Sequence, residues 1–327
     1  MKKLLLAVVG IMFAATSFAQ NALVASLSHG TDAPKYYYGV TALQQAVAAA
    51  ESGDIINLSG GTFYGADINK AIALRGTGIA CSEPTIIVNG FTIDIPSDDT
   101  NRLSMEGIKC TGMMYLRGKF ANPYFLKCQF DQVGRYLESD AISNIMFVNC
   151  KITGKTIVGG VNTYYFVNSY VSNIEQKETA TMTGTNCIIN SVVGGLTLSQ
   201  WFNCIFFTNK YTERQLPSGS KAINCYCPEY NGNNYAYGAF NADCVNCGQY
   251  VYEDMFKDFT GSYTDEQTFE LTETAKTTYL GTDGKEVGLY GGLQPYTSTP
   301  SYPLITTMEV DEKTNASGQL GVTIEVK

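Results

Sequence analysis

The chain has 327 residues, of which 45% are hydrophobic, 16% charged and 12% aromatic. This balance is typical of a folded protein with a large core, and it excludes disordered, collagen-like, coiled-coil and polytopic membrane proteins. The formal net charge of -8 argues against nucleic acid or anionic membrane as a partner. Charged residues are scarce, whereas glycine and tyrosine are abundant at 32 and 22 residues, which favours short strands and turns over amphipathic helices. An all-β fold is therefore predicted.

The N-terminus has the pattern of a secretory signal peptide. A pair of lysines precedes an apolar run over residues 4–15, and small residues stand three and one positions before a cleavage site after Ala19. The run is shorter than a bilayer span of about 20 residues, and no later segment approaches that length. We therefore expect residues 1–19 to be removed and the mature chain to be periplasmic or extracellular, without membrane insertion. The alternative is an uncleaved N-terminal anchor.

Seven cysteines and one serine recur at intervals of 17 to 22 residues, each at the end of a similar short string. These residues are Cys110, Cys128, Cys150, Ser169, Cys187, Cys204, Cys225 and Cys247. A period near 20 residues indicates a solenoid in which each coil adds one rung. Because residues two apart on a strand share a face, and the positions two before and two after the repeated residue are mostly apolar, all three columns are predicted to face the interior.

The same stacking bears on the state of the cysteines. Identical thiols one strand spacing apart approach each other poorly for disulfide geometry, so most of the ten cysteines are predicted to be free. Near the C-terminal end, the cysteines at Cys225, Cys227, Cys244 and Cys247 also permit a zinc site or a disulfide. Zinc is disfavoured because Cys225 and Cys247 belong to the predicted interior column.

The position before the repeated residue forms a polar column. Its members are Lys109, Lys127, Asn149, Asn168, Asn186, Asn203, Asn224 and Asn246. Asparagine tolerates left-handed backbone, and its amide can bond to the coil above. The asparagines are therefore predicted to form the corners of the coils, which is a structural role.

These features resemble the right-handed parallel β-helix proteins of the pectin-lyase-like superfamily. Outside the repeat, the resemblance is carried by the alanine-rich helical pattern at 41–51, the Gly-Asp-Ile-Ile-Asn-Leu string at 53–58 and the Gly-Leu-Tyr-Gly-Gly string at 288–292. It implies an all-β, right-handed parallel β-helix solenoid over residues 20–292, with an N-terminal capping helix that shields the apolar end. Residues 293–327 are interpreted as a connector followed by a β-hairpin cap.

The fold hosts lyases, hydrolases, esterases and binding proteins, so only the site can decide the activity. Polygalacturonase-like members need a Gly-His-Gly motif and clustered carboxylates, whereas the one histidine here, His29, precedes the first strand of the predicted solenoid. The Gly-x-x-Asp-Phe-Ile-Phe-Gly segment of pectin-methylesterase-like members does not occur in the sequence. A polysaccharide lyase is therefore favoured over a hydrolase or an esterase if the chain is an enzyme.

A lyase of this fold needs a basic residue and a cation, often calcium, that neutralises the uronate carboxylate. Lys109 and Lys127 are predicted to occupy one column on adjacent coils, about 4.8 Å apart, where a uronate would fit between them. Further residues of suitable chemistry are Arg117, Arg135, Glu138 and Asp140. The alternatives are lysines that extend into solvent and a turn with capping carboxylates.

A second candidate is aromatic. Phe125, Phe147 and Phe166 occupy the position three before the repeated residue on consecutive coils, and strand alternation places them on the outer face. Stacked exposed rings of this kind would bind sugar rings. The alternative is that the chain bends there, or that a long turn covers the rings.

Together these patterns predict a secreted single-domain β-helix that binds, or binds and processes, a complex or acidic polysaccharide. The rival hypothesis is a non-catalytic surface or structural protein that presents its flank to another protein. We expect a monomer without a cofactor or metal site, in which calcium is required only if the chain is a lyase.

Overall fold

The computed structural model describes residues 23–135, 141–160, 162–176, 180–193, 199–207, 220–228, 243–259, 267–303, 305–310 and 322–326. Within them the chain is nearly all-β, with three short helices. The predicted signal peptide at residues 1–19 lies outside the described residues.

Two long sheets contain most of the described strands. Sheet A consists of β1 (Val24–Ser28), β2 (Lys35–Tyr38), β3 (Ile55–Leu58), β6 (Ala73–Arg75), β9 (Ser104–Glu106), β11 (Tyr124–Leu126), β13 (Ile145–Val148), β15 (Thr163–Val167), β17 (Thr181–Thr185), β19 (Ser199–Phe202), β21 (Lys221–Ile223) and β23 (Asp243–Val245). Sheet B consists of β4 (Gly61–Tyr64), β5 (Asp67–Ile68), β7 (Thr85–Val88), β8 (Phe91–Ile95), β10 (Ile108–Gly118), β12 (Gln129–Arg135), β14 (Lys151–Val158), β16 (Tyr170–Gln176), β18 (Ile188–Val193), β20 (Ile205–Phe206), β22 (Tyr226–Pro228) and β24 (Gly248–Tyr250).

The chain alternates between the two sheets, and each strand pairs in parallel with the strand one coil away. For example, β11 pairs with β9 and β13 in sheet A, and β12 pairs with β10 and β14 in sheet B. This is a parallel β-solenoid of about eight turns, as the repeat predicts. Strand β1 departs from the pattern because it pairs antiparallel with both β2 and β3, which leaves β2 as the outermost strand of sheet A.

Helix α1 (Ala42–Ala49) forms where the alanine-rich segment predicts a helix. It contacts strands β1 to β5, and Leu43, Ala46 and Val47 on its inner side are buried in the same core as the interiors of the coils. Small residues on this side let the helix approach the first coil closely.

From strand β9 onward, each described coil turns from sheet A to sheet B at a residue with left-handed backbone. These residues are Gly107, Lys127, Asn149, Asn168, Asn186, Asn203, Asn224 and Asn246, and their φ values lie between 44° and 68°. The predicted asparagine corners are confirmed, since asparagine tolerates this conformation better than most residues with a side chain.

The left-handed corner residue reverses the alternation of side chains between the two strands that it joins. Phe125, two residues before Lys127, and Cys128, directly after it, are both fully buried, whereas Leu126 is half-buried. The position two before the repeated residue therefore lies on the outer side of the coil, and the position three before lies inside. The sequence interpretation was wrong here because it continued strand alternation through a residue at which the backbone turns.

The repeated residues form a buried interior column, with one change of register. Cys128, Cys150, Ser169, Cys187, Cys204 and Cys225 are all fully buried, and Cys247 is half-buried. Cys110 is in register with Phe130 instead of Cys128, because Gly107 forms the corner of that coil and Ile108 fills the next place. All ten cysteines are free.

A C-terminal segment, residues 280–302, runs back along the corners and is called the strap below. Asn224 Nδ2 donates to the Leu280 carbonyl over 2.8 Å, and Asn203 Oδ1 accepts from the Thr282 amide over 2.9 Å. Towards the N-terminal end, Lys127 Nζ donates to Ser301 Oγ over 2.8 Å. The side-chain amides of these corner asparagines donate to the strap in every bond that is described. The sequence analysis expected them to bond to the coil above, and that expectation was wrong.

The segment before the strap covers the outer side of sheet B on the later coils. Helices α2 (Tyr252–Met255) and α3 (Glu273–Thr278) belong to it. Phe269 stacks on Tyr170, an outward residue of β16, with ring centroids 4.7 Å apart, and this contact is part of a second buried apolar cluster. After the strap, β25 (Ile305–Val310) and β26 (Val322–Val326) pair antiparallel, as the predicted hairpin requires.

Candidate functional site

The predicted aromatic face is inside the solenoid. Phe125, Phe147 and Phe166 are fully buried, and their rings stack along the coil axis with centroids 4.9 Å and 5.4 Å apart. The reversal of alternation at the corner places them there. The prediction that they face outward was wrong, and these rings have no exposed surface with which to contact a sugar.

The predicted lysine pair does not form. Lys109 is in register with Gln129, and Lys127 occupies the corner that Gly107 occupies one coil earlier, so the two lysines belong to different columns. Lys127 is also buried, at 9% exposure, and its ammonium donates to Ser301 Oγ of the strap. The register assumed from the sequence was wrong because it aligned Cys110 with Cys128.

Of the four other predicted residues, the structure describes Arg117 and Arg135, which lie on the adjacent strands β10 and β12. Arg117 lies opposite Asp94 on the neighbouring strand, and its Nε is 3.3 Å from the Asp94 carboxylate. Both side chains are partly exposed, and such surface pairs contribute at most about 1 kcal/mol to stability. Arg135 pairs with Leu116 through its backbone. Glu138 and Asp140 lie outside the described residues.

A cleft of about 510 Å³ lies at the N-terminal end, between helix α1 and the first two coils of sheet B. It is called the N-terminal cleft below. The residues that line it are Gln44, Val47, Ala48, Gly65, Ala66, Asp67, Asn69, Lys70, Asn89, Gly90 and Thr92. Its floor contains glycine because the coils approach closely: a Cβ on Gly65 would overlap the Gly90 carbonyl oxygen. The cleft therefore depends on two glycines, one in each coil.

The cleft presents polar groups that are not used within the fold. In the described part of the chain, the side chains of Asp67, Asn69 and Thr92 make no hydrogen bond or ion pair, and Asp67 and Asn69 are exposed. Lys70 differs, because its Nζ donates to the Ala50 carbonyl over 2.6 Å and to two further carbonyls of α1, at Val47 and Ala48. The lysine is thus engaged at the C-terminus of the helix, which leaves an acidic and amide-rich surface for a ligand.

Exposed aromatic rings occur at the same end of the solenoid as this cleft. Tyr36 and Tyr38, on one face of the outermost strand β2, are 57% and 63% exposed, and Tyr64 at the end of β4 is 43% exposed. We call these three residues the tyrosine cluster. Monomeric proteins rarely leave several large rings exposed together unless the surface contacts a partner.

Backbone contacts connect the tyrosine cluster to the cleft. The Tyr64 amide donates to the Val40 carbonyl over 2.9 Å, which places the segment after β2 against the end of β4. The next residue, Gly65, lines the cleft and accepts a hydrogen bond from Gln44 Nε2 over 2.8 Å. The exposed residue Tyr64 therefore directly precedes a residue of the cleft, and the cleft presents unpaired carboxylate, amide and hydroxyl groups.

A charged pair lies at the same end of the molecule. His29 Nδ1 is 2.6 Å from Oδ1 of the buried Asp54, and its Nε2 is 3.7 Å from the Glu51 carboxylate. The hydrogen bond to Asp54 and the two negative charges raise the pKa of His29. Asp54 also accepts from the Glu51 amide over 2.8 Å, so the carboxylate organises the turn after α1.

We expect an NMR titration of His29, the single histidine of the chain, to give a pKa above the ordinary value of about 6.5. Because the pKa is raised on folding, the protonated pair stabilises the fold fully below about pH 6.5 and loses its effect as pH rises through the folded pKa. The stability difference between the wild type and His29→Gln should therefore be largest in mild acid and decrease towards alkaline pH. A difference that does not change with pH would contradict the ionic pair.

Sequence reasoning missed the cleft and the tyrosine cluster. The string Lys35-Tyr-Tyr-Tyr38 was a visible signal, since a run of tyrosines is unusual, but it equally fits a strand with a buried face. The decisive fact is that β2 is the outermost strand of sheet A, and this depends on the antiparallel pairing of β1.

Comparison of the chain with protein-family models, with curated proteins and with solved structures gives no match. Among the described residues, no helix is long and apolar enough to cross a membrane. Within the same residues, no group of three or more histidine, cysteine or acidic side chains is arranged to hold a metal ion.

Proposed function

We propose that this chain is a carbohydrate-binding β-solenoid and that the N-terminal cleft and the tyrosine cluster form its binding surface. The observation that carries this proposal is a cleft with unpaired polar side chains at Asp67, Asn69 and Thr92, which begins at the residue after the exposed Tyr64. A sugar ring has an apolar face and a rim of hydroxyl groups, so it needs both kinds of contact.

The charges favour a neutral, hydroxyl-rich glycan over a polyuronate. Asp67 is the one carboxylate among the residues that line the cleft, and the ammonium of Lys70 is engaged by two carbonyls of α1 and by that of Ala50 directly after it. An incoming uronate carboxylate would meet the Asp67 charge without a free cation to neutralise it. The net charge of -8 also repels an anionic polymer at long range.

We propose binding without cleavage. Glycoside hydrolysis ordinarily uses two carboxyl groups that flank the scissile bond, and the lining of the cleft supplies Asp67 alone. A lyase would need a base and a cation near a uronate, and Lys127, one of the two lysines suggested by the sequence, bonds to the strap. Incubation with a panel of uronic-acid polymers should therefore yield no unsaturated product by ultraviolet absorbance.

The binding test is a glycan array probed with the chain from residue 20 onward, followed by titration calorimetry on the best neutral oligosaccharide. Each exposed tyrosine contributes on the order of 1 kcal/mol by stacking, so Tyr38→Ala combined with Tyr64→Ala should weaken binding about tenfold or more. Asp67→Asn should weaken a neutral ligand modestly, whereas it would strengthen binding of a uronate. Binding unaffected by the double substitution would exclude this surface.

Tyr165→Ala provides a matched control. Tyr165 is a partly exposed tyrosine on β15, several coils from the cleft, and it points to the outer side of sheet A. The substitution removes the same side chain from the same kind of strand, so it should leave the affinity unchanged. A loss equal to that of the double variant would indicate a general effect of removing tyrosine.

A protein partner is the second candidate, and one observation favours it. Strand β2 is the outermost strand of sheet A, so its outer edge can pair with an added strand. In that case Tyr36 and Tyr38 would pack on the side chains of the partner. This alternative would be favoured if no glycan on the array bound the chain and if Tyr36→Ala and Tyr38→Ala disrupted a complex with a protein partner.

We also propose that the coil is right-handed, that the chain belongs to the pectin-lyase-like superfamily and that it is exported. The parallel coils, the asparagine corners and helix α1 support the first two proposals. The pattern of residues 1–19 supports the third. An experimental structure would give the handedness, and the N-terminal sequence of the protein recovered outside the cytoplasm should begin at Gln20.

A further inference from the structure

Four thiols lie close together along the chain at the C-terminal end of the interior column, and the proposed function does not involve them. Cys225 and Cys247 belong to the column, Cys227 lies on β22, and Cys244 lies on β23. Whereas Cys225 and Cys227 are buried, Cys247 is half-buried and Cys244 is exposed. Accessible thiols therefore occur at the end of an otherwise enclosed row.

The register explains how Cys244 and Cys247 approach each other. In this solenoid the thiol of a column cysteine points to the carbonyl three residues before the equivalent cysteine of the previous coil, so Cys247 Sγ contacts the Ala222 carbonyl over 3.4 Å. Ala222 is also the parallel strand partner of Cys244. The side chain of Cys244 therefore continues the interior row of Trp201 and Ala222, on the strand next to the carbonyl that the Cys247 thiol contacts.

The two cysteines are separated by Val245 and Asn246, and Asn246 has a left-handed φ of 54°. This residue turns the chain back between the two cysteines, as the corner residues do in every coil, and directs both side chains inward. At the same corner of the earlier coils the residue three before the column cysteine is a ring at Phe125, Phe147 and Trp201 and a small residue at Gly184 and Ala222. The coil of Cys244 is thus the one in this row that carries a second thiol at that position.

We infer that Cys244 and Cys247 are a dithiol site that exchanges with small disulfides and closes to a reversible intramolecular disulfide. In the first step the exposed Cys244, as thiolate, attacks a sulfur of a low-molecular-weight disulfide and releases one thiol. In the second step Cys247, whose pKa is raised by the neighbouring Cys225 thiol and by burial, gives its proton to solvent base, attacks the Cys244 sulfur of the mixed disulfide and releases the second thiol. Two protein thiols are oxidised and one disulfide is reduced, so the electrons balance.

The surroundings determine the order and the conditions of the reaction. Burial raises the pKa of Cys227 to about 12, and it also raises the pKa of Cys244, whose side chain is less enclosed. Attack therefore begins at Cys244 and is faster in mildly alkaline solution. The enclosed cysteines, for example Cys150 with a pKa raised to about 12, do not react in the folded protein.

The test equilibrates the folded protein with oxidised glutathione and locates the products by mass spectrometry of peptides. The wild type should lose two hydrogens in a peptide that contains residues 243–250, and dithiothreitol should reverse the loss. In the Cys247→Ser variant the reaction should stop at a stable glutathione adduct on Cys244. The Cys244→Ser variant should form neither the glutathione adduct nor the intramolecular disulfide. A stable adduct on wild-type Cys244, a Cys227–Cys244 bond, or no reaction would overturn the inference.

Two features of the chain make the variants interpretable. Ser169 occupies the same column as Cys247 and is fully buried, so the fold already accepts serine at this place. Cys81→Ser is the matched control, because Cys81 is a half-buried free cysteine outside the cluster, and its replacement should leave the disulfide yield unchanged. Circular dichroism of each variant before oxidation should match the wild type.

Discussion

Replacing Phe147 by alanine is expected to lower the free energy of unfolding by about 3–5 kcal/mol. The ring is fully buried in the middle of the aromatic stack, 4.9 Å from the Phe125 ring and 5.4 Å from the Phe166 ring, and it meets Phe130 edge-on at 6.0 Å. Three neighbouring rings would lose contacts, and coils fixed by parallel pairing can close the cavity only in part.

Urea denaturation with an unchanged slope would measure this loss. Phe147→Leu is the matched control, since it keeps most of the apolar volume and should lose less stability than alanine. Gly184→Ala tests the same interior row by overpacking it, because an added Cβ would overlap the ring of Trp201. This variant should also lower the free energy of unfolding. A loss below about 1 kcal/mol in Phe147→Ala would mean that the ring faces outward after all.

Replacing Asn168 by alanine is expected to cost about 2–4 kcal/mol and to release the strap. Asn168 Nδ2 donates to the Leu289 carbonyl over 2.7 Å and to the Gly291 carbonyl over 2.9 Å, and the residue is 1% exposed. The Leu289 carbonyl also accepts from the Tyr296 amide, but the Gly291 carbonyl would lose its donor. Lost buried hydrogen bonds cost about 1–3 kcal/mol, and alanine at a φ of 44° adds about 1 kcal/mol of strain.

Asn168→Gly separates the two contributions. Glycine adopts the left-handed backbone without strain, so this variant should lose only the contribution of the amide. Thermal unfolding gives the stability, and limited proteolysis should show earlier cleavage in residues 289–303 for both variants. If Asn168→Gly were as stable and as resistant as the wild type, the amide contacts with the strap would not stabilise the fold.

Much of the fold could be predicted because a solenoid repeats its information. Eight similar strings gave the period, and the six asparagines gave the corners, since few residues other than asparagine and glycine adopt that backbone. The errors in the predicted fold arose at the corners of the coils. Side-chain alternation was continued through Lys127, which placed Phe125 outside, and a corner at Gly107 was not recognised, which shifted Cys110 by two residues.

The candidate site could not be predicted in the same way, because it lies where the repeat ends. The contact of Gln44 with Gly65 and that of Val40 with Tyr64 join the N-terminal segment to the first coil, and no periodic pattern specifies them. Exposure of Tyr36 and Tyr38 depends on the antiparallel place of β2 at the end of sheet A. Sequence periodicity specifies which residues are neighbours one coil apart, but it does not specify such long-range packing.

The strap also affects how the solenoid unfolds. In an ordinary repeat protein each unit contacts only its neighbours, so terminal units can open singly and folding can begin anywhere. Here one segment bonds to Asn224, Asn203 and Asn168 and reaches Lys127 on a much earlier coil. A coil between these points can open only if the strap is also released, so amides across this span should exchange with deuterium at similar rates. The ribosome makes the strap after all the coils, so the coils are synthesised before their corner amides can find these acceptors. A chain truncated before residue 280 should therefore behave as a row of separately opening turns.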